Sequence, residues 1–306
     1  MKNGAIAILI IVVLVLGGYV LMRGQDDTNI PNGTNDVANG SLSDGGNQAM
    51  ATTTDQTNGR TVIGKSVNGA DIVAYHYGTG EEEILLVGGI HGGYSWNTGW
   101  LANDLAIYLS DIGEEIPTNL KVTVIAQLNP DGIAEVVGTL SGETLPSDFI
   151  SAPLARRVAG RFNANDVDLN RNFDCNWKPE GIWQDNKVSG GTAPFSEPES
   201  KAVKDYIESH KIKAVIVYYS AAGGVYSSAC NAGILSETSN LTTVYAKASG
   251  YPAYQKFDAY QTSGDMANWL AKIKIPAISV LLTNHEEIEK DRNIAGLKAV
   301  LTNYSR

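Results

Sequence analysis

Four short runs, EILLVGG, LKVTVIAQL, KAVIVYY and PAISVLL, constrain the fold more than any other feature of the chain. Each is short, apolar and rich in Val and Ile. Each therefore reads as a strand covered on both faces. Helix-like segments lie between them, and strands alternating with helices imply parallel neighbours joined by crossovers. The expected fold is α/β: a mixed, largely parallel twisted sheet covered by helices on both faces. TVIGKSV and DIVAYHYG flank Asn68-Gly69 and read as a β-hairpin ahead of it. With 306 residues, 43% of them hydrophobic and 18% charged, the chain has enough apolar material for one large core.

Two helix starts are marked. Ser196-Glu197-Pro198-Glu199 reads as a capping box with Pro in the first turn, and Thr283-Asn284-His285-Glu286 as a second box. The latter opens a last helix expected over 286–304, with Ile288, Ile294, Leu297, Val300 and Leu301 on its buried stripe. No internal repeat is visible.

Ahead of this domain, residues 5–22 (AIAILIIVVLVLGGYVLM) form an unbroken apolar run after Lys2, long enough as a helix to cross a bilayer. Residues 1–23 are expected to be an N-terminal transmembrane anchor or signal. The run exceeds the usual length of a cleaved signal's apolar region and no A-x-A site follows it, which favours a retained anchor with the domain extracytoplasmic. Cleavage would make the protein secreted. Residues 24–60, dominated by Asn, Gly, Asp, Thr and Ser, read as a disordered polar linker, and 61–306 as the folded domain.

With 23 Lys plus Arg against 33 Asp plus Glu, the net charge is −10, and no nucleic-acid partner is expected. Two cysteines, Cys175 and Cys230, are too few for a cysteine-based zinc module, and the chain has only four histidines, His76, His91, His210 and His285. Polar and glycine-rich segments sit at strand ends, where ligands bind in open α/β sheets. His91 lies in GGIHGGYSWNT just after a strand. Asp168, Asn170, Arg171 and Asn172 crowd into DLNRN, where an arginine beside an amide suits a carboxylate ligand. Tyr260 precedes a short helix and the last strand.

GGIHGG, NPDG, DLNRNF, PFSEPES and YQTSGDMANWL, in this order, resemble the zinc carboxypeptidase (M14) family along nearly all of 61–306. The resemblance implies that family's fold. It makes His91 the first zinc ligand and Asp168 the carboxylate that orients it. It makes Asn170 and Arg171 the clamp on a substrate's terminal carboxylate and Tyr260 a capping tyrosine. Arg161, in competition with Arg156 and Arg157, becomes the arginine that stabilises an oxyanion. Ala267, near Asp265, falls at the specificity position. Cys175 and Cys230 are expected to pair as a disulfide in an exported domain.

Three positions depart from the family pattern. Tyr94 and Ser95 stand where a carboxylate ligand should follow His91, with Ser95 taken as the ligand position and Tyr94 as the alternative. Tyr219 stands at the second zinc histidine, and Leu281 at the general base. His76, His210 and His285 belong to a hairpin, a helix end and a helix cap, and are not expected near His91. A catalytic zinc needs three protein ligands plus water, and loss of a general base alone costs about 10²- to 10⁴-fold. The expectation is a pseudoenzyme that binds peptide C-termini, peptidoglycan stem peptides among them, with no cofactor held tightly. The alternative is an active zinc carboxypeptidase with an atypical metal site, for which Tyr219 as a phenolate ligand is one form.

Overall fold

The computed structural model describes residues 59–138 and 145–305. The apolar run 5–22 and nearly all of the linker lie outside these residues. Among the described residues no helix is long and apolar enough to cross a membrane.

The hairpin forms as expected: β1 (Arg60–Lys65) and β2 (Asp71–Tyr77) pair antiparallel around a turn in which Gly69 takes φ +85°. β1 begins at Arg60, one residue before the expected boundary. There follow β3 (Glu82–Val87), α1 (Trp96–Ile112), β4 (Leu120–Ile125), α2 (Pro130–Val137), α3 (Pro146–Ile150) and α4 (Leu154–Ala159). A small separate hairpin, β5 (Glu180–Trp183) and β6 (Asn186–Ser189), precedes α5 (Pro198–Ser209) and β7 (Ile212–Ser220). The chain continues with β8 (Gly224–Ser227), α6 (Ser236–Ser249), β9 (Ala253–Tyr254), α7 (Met266–Lys272), β10 (Ala277–Leu282) and α8 (Lys290–Tyr304).

The main sheet has eight strands in the order β1-β2-β4-β3-β7-β10-β8-β9. The four apolar runs are its four central strands, β4-β3-β7-β10, and they are mutually parallel. Side chains alternate across the sheet with period two. Ile84 and Leu86 of β3, Ile216 and Tyr218 of β7, and Ile278 and Val280 of β10 enter one core layer, beneath α1, α6 and α8. Leu85, Val87, Val215, Val217, Tyr219, Ala277 and Leu281 face the other, beneath α5 and α7. That parity sends Tyr219 and Leu281 to the same side, and they are direct register partners on adjacent strands.

Both expected helix caps differ from the structure. Glu197, not Ser196, occupies the N-cap of α5, with Pro198 in the first turn. The Ser196 hydroxyl instead donates to the Glu197 carboxylate. The last helix starts at Lys290, not 286. The Asn284 side chain accepts from the backbone N–H groups of Glu286 and Glu287 and turns the chain there, because an Asn oxygen competes with helical bonding. Leu297, Val300 and Leu301 are buried in α8 as expected, while Ile288 packs against the core from outside the helix.

Cys175 and Cys230 form a disulfide, with their Cα atoms 6.2 Å apart and a sequence separation of 55. It ties the segment after the DLNRN motif to the segment after β8. Closing a loop of that length constrains the unfolded chain by about 4 kcal/mol. Replacing both cysteines by serine is expected to lower the unfolding free energy by roughly that amount, measured by urea titration against the oxidised parent.

Candidate functional site

The site lies beyond the carboxyl ends of β3, β7 and β10, where a parallel sheet opens its crevice. A cavity of about 650 Å³ is lined there by His91, Arg161, Asn170, Arg171, Tyr219 and Tyr260, among others.

Asp168, fully buried, lies behind the cavity lining, against His91, Arg161 and Asn170. Arg161 donates to its Oδ2 from both Nε (3.0 Å) and Nη2 (2.8 Å), and the backbone N–H of Asn170 donates to Oδ1 at 3.0 Å. Burial alone would raise this carboxyl, but the charges of Arg161 and Arg171 outweigh it and hold it well below the usual carboxylate range. The Arg161 guanidinium also lies 4.3 Å over the Trp183 ring and 5.8 Å from that of Tyr94. Of the competing arginines, Arg156 donates to the Glu135 carbonyl, and neither it nor Arg157 lines the cavity.

His91 follows β3 through two glycines and is buried, with Nε2 facing Asp168 Oδ1 at 3.6 Å, longer than a hydrogen bond. Its Nδ1 has no partner among the described residues. Burial, then the nearby Arg161 charge, lowers the imidazole to about 4, so the ring is neutral at neutral pH. Tyr219 packs against it with ring centroids 5.6 Å apart. The Tyr219 hydroxyl is held well above its ordinary value by burial, then by Asp265, and donates to Asn170 Oδ1 at 3.1 Å.

These groups do not fit a zinc ion. Ser95 is buried, but its hydroxyl has no partner and it does not line the cavity. Tyr219 is a neutral phenol committed to Asn170, which argues against the phenolate form. Leu281 puts a hydrocarbon on the cavity floor. Among the described residues no three His, Cys, Asp or Glu side chains converge. Of the expected ligand set only the His91 imidazole remains, where three protein ligands are needed.

The amide of Asn170 is more occupied than a carboxylate clamp requires. Its Nδ2 donates to Asp265 Oδ2 at 2.8 Å, and Oδ1 also accepts from the Met266 N–H at 3.0 Å, which leaves one N–H uncommitted. Arg171 is 1% exposed. It spends its bonds on carbonyls, Nε and Nη2 on Ile182 and Nη1 on Asn170. Among the described residues no carboxylate lies within ion-pair distance of it. Its guanidinium sits 5.9 Å from the Tyr260 ring. Close packing holds it there: a Cβ on Gly264, at φ +61°, would overlap the Arg171 carbonyl. Ala267 is in the core rather than the cavity, and Asp265, at the start of α7, lines the cavity instead.

Sequence reasoning missed His285. Read as a helix cap, it lines the same cavity as His91, its ring 4.6 Å from Tyr94 and its Nδ1 2.9 Å from Ser220 Oγ. The available signal was its place three residues past the last strand, at the same sheet edge as His91. His76 and His210 lie elsewhere, both stacked on Tyr206.

Residues 47–286 match the family model described as zinc carboxypeptidase, peptidase M14. Murein peptide amidase A of Vibrio campbellii is 28% identical over 186 residues, 55% of this chain and 71% of that protein. Gamma-D-glutamyl-L-diamino acid endopeptidase 1 of Lysinibacillus sphaericus is 24% identical over 217 residues, 65% of this chain and 54% of that protein. A match to bacteriocin BCN5 of Clostridium perfringens, 29% identical over 160 residues and 50% of this chain, spans only 15% of that protein. Among solved structures, murein-tripeptide amidase MpaA of Escherichia coli O157 superposes with TM-score 0.57 at 20% identity, covering 85% of this chain and 96% of that one. Carboxypeptidase A of Helicoverpa armigera gives TM-score 0.62 at 18% identity, covering 81% and 69%. At these identities the superpositions establish a shared fold.

Two outcomes follow from the buried charges. Arg161→Met leaves Asp168 buried without its counter-charge and is expected to cost about 3–5 kcal/mol of stability, much of it recovered in the double variant with Asp168→Asn. His91 titrates near 6.5 unfolded and about 4 folded, so only the unfolded chain takes up the proton between those values. Stability is therefore full above that window and falls by about 1.4 kcal/mol per pH unit for this group as the pH drops through it. Urea titrations at several pH values should show a shallower decline in His91→Gln.

Proposed function

The chain belongs to the zinc carboxypeptidase family, and from that premise we propose that it is a membrane-tethered, extracytoplasmic domain that binds peptide C-termini without zinc-dependent hydrolysis. Peptidoglycan stem peptides are the ligand class this reading favours. The observation that carries it is Arg171: a fully buried cation that lines the cavity with N–H groups to spare and, among the described residues, no carboxylate partner. Buried charges are stable when paired, so such a group is a seat for an anion. A ligand's terminal carboxylate supplies that anion, with the remaining N–H of Asn170 beside it and the Tyr260 ring above.

The loss of hydrolysis rests on the donor set. Ser95, Tyr219 and Leu281 replace two ligands and a base with groups that cannot perform those roles. The murein amidase and the diamino-acid endopeptidase are named for action on cell-wall peptides or on bonds at diamino acids, which supports the ligand class. The apolar run 5–22 and the disulfide support placement outside the cytoplasm.

One observation favours the second reading, an active zinc carboxypeptidase with an atypical site. His91 keeps its Nδ1 free while Asp168 faces its Nε2, the arrangement a metal-bound imidazole needs. Zinc bound in stoichiometric amount after loading and dialysis would establish that reading and remove the first.

Short peptides with free C-termini are expected to bind, and the same peptides amidated to bind about 10- to 100-fold more weakly, the value of a charge-assisted hydrogen-bonded pair. Arg171→Ala should erase the difference, and equal affinity of the parent chain for both peptide forms would refute the proposal. Restoring Ser95→Glu, Tyr219→His and Leu281→Glu together is expected to confer zinc binding, measured by metal analysis, with a parallel version carrying Tyr94→Glu in place of Ser95→Glu.

A further inference from the structure

Contacts around His285 determine which of its ring nitrogens carries the proton. Asn97, fully buried, donates through Nδ2 to the carbonyls of Asn284 (2.8 Å) and Glu287 (2.9 Å). Those bonds fix the amide's orientation and turn Oδ1 toward Ser220. Ser220 Oγ lies 3.1 Å from that oxygen, which can only accept, so the single hydroxyl hydrogen is committed there. Toward its other neighbour, His285 Nδ1 at 2.9 Å, the hydroxyl can then only accept. Nδ1 therefore bears the hydrogen and Nε2 carries the lone pair.

The Nε2 atom has no hydrogen-bond partner among the described residues, and the ring lines the cavity that also holds Arg171. Burial, then the charges of Arg161 and Arg157, lowers His285 to about 4 and keeps the ring neutral. The surroundings select what this acceptor can take. The same two arginines disfavour a cationic ammonium, and a lone pair repels a carboxylate. A neutral N–H satisfies both conditions, and a peptide backbone offers one with every residue, spaced at about 3.3–3.6 Å when extended.

We propose that His285 Nε2 accepts a backbone amide N–H of the bound peptide, with Ser220 and Asn97 as the positioning residues that lock its tautomer. The inference rests on the reading of the cavity as a peptide site and adds a second contact to it. Along the cavity wall, contacts run from His285 through Tyr94 and Arg161 to Asp168, and through Asn170 to Arg171. The ligand's carboxylate and the amide read by His285 are thus held by different ends of one connected wall.

Calorimetric titration of the full chain with an N-acetylated tetra-alanine peptide of free C-terminus tests this, alongside analogues in which one amide N–H at a time is replaced by an ester oxygen. His285→Phe is expected to weaken the parent peptide about 10-fold, and His285→Gln, which keeps an acceptor, less. One ester analogue should lose a similar factor against the native chain and nothing further against His285→Phe, while the others lose equally against both. Ser220→Ala should weaken binding by a smaller factor, because the released ring can adopt the other tautomer. Nitrogen-15 spectra at neutral pH should show Nδ1 protonated and Nε2 bare in the native chain. The opposite tautomer, unchanged affinity in His285→Phe, or ester losses that are additive at every position overturns the inference, while discrimination of free from amidated C-termini still stands. A chain that binds no peptide overturns this inference and the binding reading together.

Discussion

A carboxylate removed from water must be given a counter-charge and hydrogen bonds, or it destabilises the fold that buries it. Asp168 receives both, from the two nitrogens of Arg161 and the Asn170 backbone, and the rest of the cleft is arranged around that requirement. The short turn that aims the Asn170 N–H at Asp168 also places Arg171 one residue on. Arg161, committed on one edge to Asp168, presents its face to Trp183 and Tyr94. The pair therefore positions this side of the cavity, while burial, and then the Arg161 charge, keeps His91 neutral beside it.

Sheet parity decides the rest of the cavity. Tyr219 and Leu281 point to the cleft because β7 and β10 run parallel in register, and each sits at the odd position of an alternating pair of layers. Any residue at either position would face the site. With a histidine and a glutamate, the edge would offer a metal ligand and a base. With a phenol and an aliphatic chain, it offers a hydrogen bond to Asn170 and a dry floor. The side chains at these two positions, rather than the backbone topology, therefore set which groups this sheet edge presents to the cavity.

Much of this was legible in the chain. The four apolar runs became the central parallel strands because only a doubly covered strand tolerates so few polar residues. The Asn68-Gly69 hairpin formed because its turn needs a positive φ that glycine adopts freely. Helix starts were less legible. Ser196 and Thr283 both begin sequences that fit a capping box, yet Ser196 bonds to Glu197, and Asn284 turns the chain before α8 can begin. Local capping signals record what a side chain can do, and tertiary neighbours decide which of its options is taken.

By itself the sequence determined the strand pattern, the family, and the identity of the groups at each strand end, because these follow from local hydrophobic periodicity and from motif order. Only the tertiary structure decided that Arg171 is buried with no carboxylate beside it among the described residues, that Asn170 is largely committed to Asp265 and Tyr219, and that His285 shares a cavity with His91. Each of those facts depends on residues distant in sequence meeting at one sheet edge. A side chain has a fixed number of hydrogen-bond donors to spend, and which partner receives them is settled by proximity in space.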